Sequence, residues 1–120
     1  MSANIAELDQ QLNARILAGD ILGAFDEYYA DDVVMQENAT EPSAGKAANR
    51  VREEQFVGSI EAFHGGKLVN SAVNGNVAFG EWEYDVTFKG AGRVLMTQVA
   101  VRTWNGDGKV AFERFYHNKG

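Results

Sequence analysis

The run from Gly19 to Glu37 does most to limit what this chain can fold into. Gly19-Asp20 opens an apolar stretch in which Ile21, Leu22, Phe25, Tyr28 and Tyr29 recur at helical spacing. Ala30-Asp31-Asp32 closes it, and Val33, Val34 and Met35 follow at once, then Gln36 and Glu37. A helix therefore hands directly to a strand, and the strand ends in a carboxylate. Everything after residue 60 reads as long strands joined by glycine turns.

Before this run, Ile5, Leu8, Leu12 and Ile16 mark an amphipathic helix ending near Gly19. After it, Thr40 to Gly45 are loop formers around the only proline, Pro42, and Ser43 or Gly45 caps a third helix from about Lys46 to Val57. Its apolar stripe is modest (Ala47, Ala48, Val51 and Phe56), and Arg50, Arg52, Glu53 and Glu54 cover the rest. The meander begins with a strand over 60–73, bent or bulged at Gly65-Gly66. Asn74-Gly75-Asn76 turns it into Val77 to Lys89, where Trp82, Tyr84, Val86 and Phe88 share one face and Glu81, Glu83, Asp85 and Thr87 the other. Gly90-Ala91-Gly92 leads into Arg93 to Trp104, and Asn105-Gly106-Asp107-Gly108 into a last strand ending at His117. The expected fold is α+β: three N-terminal helices on a strongly curved, mixed, mainly antiparallel sheet that forms a cone with an internal pocket, one domain over residues 1–120.

Composition narrows the function classes. A chain of 120 residues buries one core, and 45% hydrophobic with 23% charged residues is ordinary for a globular protein. A net charge of −6 argues against a nucleic-acid partner, because phosphate backbones select basic surfaces. No apolar run reaches membrane-spanning length, so no membrane partner is expected. Zero cysteines exclude disulfides and thiolate sites and are compatible with a cytoplasmic address. With only His64 and His117, an all-histidine metal centre is excluded, and neither metal nor cofactor is expected.

The last hairpin can be aligned by counting. A four-residue turn at 105–108 sets Trp104 opposite Lys109, Ala100 opposite Glu113, Gln98 opposite Phe115 and Met96 opposite His117, with Arg102 diagonal to Glu113. One face is then aliphatic and β-branched. The other mixes Trp104, Arg102, Gln98, Met96, Glu113, Phe115 and His117. Both faces look half-buried, and no helix remains after the last strand, so the second cover is expected to be another copy of the chain.

Ala18-Gly19-Asp20, Tyr29-Ala30-Asp31-Asp32-Val33, Glu41-Pro42 with Gly45, and Asn105-Gly106-Asp107-Gly108-Lys109-Val110 together resemble the nuclear transport factor 2-like superfamily. That superfamily includes SnoaL-like polyketide cyclases and ketosteroid isomerases. The resemblance covers nearly the whole chain and implies a homodimer through the outer sheet face and a small apolar ligand or substrate inside. It sets Glu37 where the isomerases carry a general base, and, more loosely, Glu113 where the cyclases place an acid–base residue. The isomerase oxyanion-hole positions fall on Leu12 and Ala100, neither of which donates a hydrogen bond, which argues against ketosteroid isomerisation.

The fold alone does not choose a function. Glu37, Glu113 and His117 are the candidate catalytic groups. Tyr29, Trp82, Tyr84, Met96, Gln98, Arg102, Trp104 and Phe115 are the candidate ligand contacts. Each has a plainer reading: Glu37 as a strand-end carboxylate in water or paired with an arginine of the third helix, Arg102 and Glu113 as a cross-strand ion pair, the aromatics as core, His117 and His64 as surface residues. The row Glu81, Glu83 and Asp85 reads as a solvated edge. Three functions follow: an acid–base enzyme (isomerase, cyclase, dehydratase or hydrolase type) on a small apolar carbonyl compound, a non-catalytic binder of such a ligand, or a dimerisation domain whose cavity is incidental.

Overall fold

The structure is a computed structural model that describes residues 4–117. Helix α1 (Ile5–Leu17) starts where the Asn4 side chain accepts from the Glu7 N–H at 3.2 Å. Gly19, at φ +88°, takes the left-handed turn that lets α2 (Ile21–Tyr28) begin two residues later, with Asp20 capping the Gly23 N–H. Strand β1 (Tyr29–Glu37) follows without a loop. It begins four residues earlier than the apolar run Val33–Met35 suggests, and its register slips between Tyr29 and Val34.

Thr40 to Gly45 is not wholly loop, because Ser43–Ala44 forms a short strand, β2, against Val34 and Met35. Helix α3 (Lys46–Gly58) follows, with Gly45 as its N-cap. Strands β3 (Ile60–Asn74), β4 (Val77–Phe88), β5 (Gly92–Trp104) and β6 (Val110–His117) follow among the described residues. The order across the sheet is β2-β1-β6-β5-β4-β3, and only β1 and β6 run parallel. No described helix is long and apolar enough to cross a membrane.

The three helices and the mixed, mainly antiparallel sheet are present, but the cone is not. The six strands lie in one open row whose ends, β2 and β3, do not meet. Register breaks fall on the β3–β4, β1–β6 and β5–β6 ladders, one of them beside Gly65, whereas the β4–β5 ladder runs unbroken from Val77↔Thr103 to Phe88↔Gly92. The bend expected at Gly65-Gly66 lies on an edge strand and leaves the row open. The same order puts the acidic row of β4 on an interior strand, not on an edge. There Glu81 accepts from Asn70 at 2.8 Å, Glu83 lies 3.6 Å from Lys67, and Asp85 pairs with Arg93 at 2.8 Å.

The helices cover one face of the sheet. Leu12, Phe25, Tyr28, Val33, Trp104 and Val110 are the heart of the core. The opposite face carries Phe79, Val99 and Tyr116, each between 38% and 43% exposed in the single chain.

Candidate functional site

Between the helices and the covered sheet face lies a hollow of about 370 Å³. Leu12 and Ile16 of α1, Phe25 of α2 and Val86 of β4 give it apolar walls, and Tyr84 stacks on Trp82 with ring centroids 5.6 Å apart. Its polar groups come from β1, α3, β4, β5 and β6 and gather in three places.

The first is a buried cluster at the sheet. Glu113 has no exposed surface and accepts from the Tyr29 hydroxyl and from Arg102 Nε at 2.9 Å. Arg102 also donates through Nη1 to Asp9 Oδ1 at 2.8 Å and Asn13 Oδ1 at 2.9 Å, both on α1. Its Nη2 has no acceptor among the described residues. Burial works against the Arg102 charge, but the Glu113, Tyr29 and Asp9 oxygens more than offset it and hold the guanidinium above its ordinary range. Burial, reinforced by Glu113, pushes the Tyr29 hydroxyl well up, so it stays a donor.

The cluster depends on a register that counting missed. Asn105 N–H donates to the Lys109 carbonyl just past the ladder, so the turn is shorter than four residues. Trp104 pairs with Val110, Thr103 with Phe112, and Ala111 is the extra residue between. At the turn the slip is one residue, which carries Val110 into the core opposite Trp104. Beyond Ala111 it is two, which keeps the remaining side chains on their faces but brings Arg102 directly opposite Glu113, Ala100 opposite Phe115 and Gln98 opposite His117.

The second place is the inner side of α3. Asn49, Glu53 and Phe56 recur at i, i+4 and i+7 and line the hollow. The stripe expected from Ala47, Ala48 and Val51 points outward, with Val51 half exposed, because Asn49 sets the helix rotation. Its Nδ2 donates to the carbonyls of Val33, Ser43 and Gly45 at 2.9–3.2 Å. Glu53 has no hydrogen-bond or ion-pair partner among the described residues, and burial, then the charge of Glu113, pushes its carboxyl up to about 7.

The third place is the mouth. Glu37 is 47% exposed, binds Arg52 of α3 at 3.0 Å and lies 3.5 Å from His117 Nε2. Among the described residues no three His, Cys, Asp or Glu side chains are placed to hold a metal ion.

A model of the SnoaL-like domain matches residues 6–117. The chain belongs to the SnoaL-like family. A crystal structure from Mesorhizobium loti, described as a candidate SnoaL-like polyketide cyclase with carbohydrate phosphatase in brackets, is 34% identical. The similarity covers 95% of this chain and 99% of that one, with a TM-score of 0.84. No curated protein matches.

In this SnoaL-like chain Tyr29, Glu37, Trp82, Tyr84, Met96, Gln98, Arg102, Glu113, Phe115 and His117 all border the one hollow. Trp104 does not; it sits in the core with Nε1 donating to Asp9 Oδ1 at 3.1 Å. Leu12 and Ala100 are also on the wall, as apolar surface. Tyr84, whose hydroxyl is pushed up by burial and then by Glu113, donates to no protein acceptor among the described residues. Sequence reasoning missed Glu53, Asn49, Asp9 and Asn13. The available signal was the weak stripe of α3: a helix over a sheet whose inward positions 49, 53 and 56 carry only one apolar residue, Phe56, must bring polar ones inside.

Proposed function

We propose that this SnoaL-like protein performs cofactor-independent acid–base chemistry on a small, mostly apolar carbonyl compound. One observation carries the reading. The hollow brings together a partner-free carboxyl tuned near neutrality, Glu53, and a carboxyl fixed as an acceptor by Arg102 and Tyr29, Glu113. Carboxyls in such unlike settings divide acid and base roles. Glu53 exchanges a proton with the carbon beside the carbonyl. A group titrating near 7 both takes and returns that proton at neutral pH. Tyr84, kept protonated, and Arg102 Nη2 are the unspent donors for the oxygen on which negative charge grows. Gln98 offers a further amide contact on the wall. Glu37 and His117 bound the mouth, where Arg52 holds Glu37 away from the chemistry.

Deuterium exchange at the carbon next to the carbonyl of small cyclic and aryl ketones, followed by proton NMR in D₂O, tests this. The wild type accelerates exchange, Glu53→Gln abolishes the acceleration, and Glu37→Gln retains it. Acceleration that survives Glu53→Gln overturns the assignment. The binder reading is favoured by the donor-free surfaces of Leu12 and Ala100. It predicts ketones that quench Trp82 fluorescence with no exchange in any variant. The uncovered face around Phe79, Val99 and Tyr116 supports a homodimer as the working assembly.

A further inference from the structure

The Asn49 amide is an unusual buried group. It is 1% exposed, and its Nδ2 is committed to three carbonyl oxygens from the β1, β2 and α3 junction. Turning the amide over would set an oxygen against those three carbonyls, so its orientation is fixed. Oδ1 is left buried with no partner among the described residues. A buried acceptor without a donor is costly and rare. One helical turn later stands Glu53, also on the wall of the hollow and also without a partner. Side chains four residues apart on a helix are neighbours within reach of each other.

We propose that Asn49 is the positioning residue for the Glu53 proton: the neutral carboxyl donates its O–H to Asn49 Oδ1, and the carboxylate lets go. This rests on the reading of Glu53 given above and adds what holds its acid form. Through Nδ2 the same amide ties β1, β2 and α3 together, so the proton is referred to a rigid frame. Around Glu53 stand Arg50 and Arg52 on its own helix, Glu37 on β1, Glu113 on β6 and Arg102 on β5. Tyr29 of β1, Tyr84 of β4 and His117 of β6 complete the titratable neighbours. α1 and α2 present only apolar side chains to the hollow. Of these neighbours the arginines favour the carboxylate and the two glutamates favour the acid. His117 Nε2 is the other buried polar side-chain atom without a hydrogen-bond partner among the described residues, but it lies 3.5 Å from Glu37 at the mouth, whereas Asn49 is on the helix of Glu53, one turn away.

NMR titration of the intact protein tests the pair. The Glu53 side-chain carboxyl carbon and the Asn49 side-chain amide nitrogen should titrate with one midpoint near 7, and Glu53→Gln should flatten the Asn49 curve. Asn49→Leu should lower the Glu53 midpoint by about one pH unit, the worth of one hydrogen bond to the acid form. If that variant does not fold, the wild-type pair of curves still decides. A flat Asn49 resonance beside a Glu53 that titrates near 7 overturns this inference and leaves the proposed function standing. A Glu53 midpoint near the ordinary 4.5 overturns both.

Discussion

Replacing Glu53 by glutamine should change how stability depends on pH, and the size of the change follows from where the carboxyl sits. In the unfolded chain Glu53 titrates near 4.5, and in the fold near 7. Between those values the native state holds a proton that the unfolded state has released. Native stability from this group is therefore complete below pH 4.5 and is lost as pH rises to about 7. A displacement of that length corresponds to about 3 kcal/mol, a ceiling, since Glu53 keeps some contact with solvent. Glutamine has nearly the same shape and no proton to lose. The difference in unfolding free energy, Glu53→Gln minus wild type, should be small at pH 4.5 and grow to about 2–3 kcal/mol in favour of the variant at pH 8. Urea unfolding at half-unit pH steps measures it, and the subtraction cancels the other titrating groups. Two parallel curves, separated by a constant within about 0.5 kcal/mol, would refute the claim that the fold keeps Glu53 protonated near neutrality.

Arg102→Met should destabilise the protein by about 3–5 kcal/mol in the same assay, because Glu113 and Asp9 then keep buried charge without a cation. Glu37→Gln, which disturbs only a half-exposed pair with Arg52, should cost less than about 1 kcal/mol. Gly80→Ala should cost about 1–3 kcal/mol and shift Trp82 fluorescence, since the added methyl would lie 2.8 Å from Trp82 Nε1. The proposed homodimer predicts that in sedimentation velocity the wild type runs as a dimer and Val99→Lys, on the uncovered face, as a monomer; a monomeric wild type or an unchanged dimer would remove that face from the interface.

Periodicity made the elements legible. Trp82 to Phe88 alternates and Ile5 to Ile16 repeats every three or four residues, so strand and helix followed from side-chain spacing alone. Parity along β5 and β6 likewise grouped Arg102 with Glu113. What spacing could not reach is what hydrogen bonds decide. The Asn105 to Lys109 bond shortens the last turn and moves the register by one, and the bulge at Ala111 moves it by a second. Asn49 turned α3 so that Glu53, read as part of its solvated cover, faces inward. The overall shape does not follow from the sequence, because a glycine pair on one edge strand says nothing about whether a row of six strands closes on itself. Asp9 and Asn13 fall between the apolar positions of α1, and only the reach of Arg102 across from β5 gives them a buried task.

The strand latest in sequence occupies the middle of the sheet, wedged between β1 and β5. A growing polypeptide must therefore keep a slot open, or reopen it, until residues 110–117 arrive. Before then the guanidinium of Arg102 has no Glu113, and the hydroxyl of Tyr29 has no acceptor there. Such distant pairings assemble slowly. The chemistry-bearing interior and the finished architecture thus come into being in one late event, and a translation product stopped at the 105–108 turn would lack both.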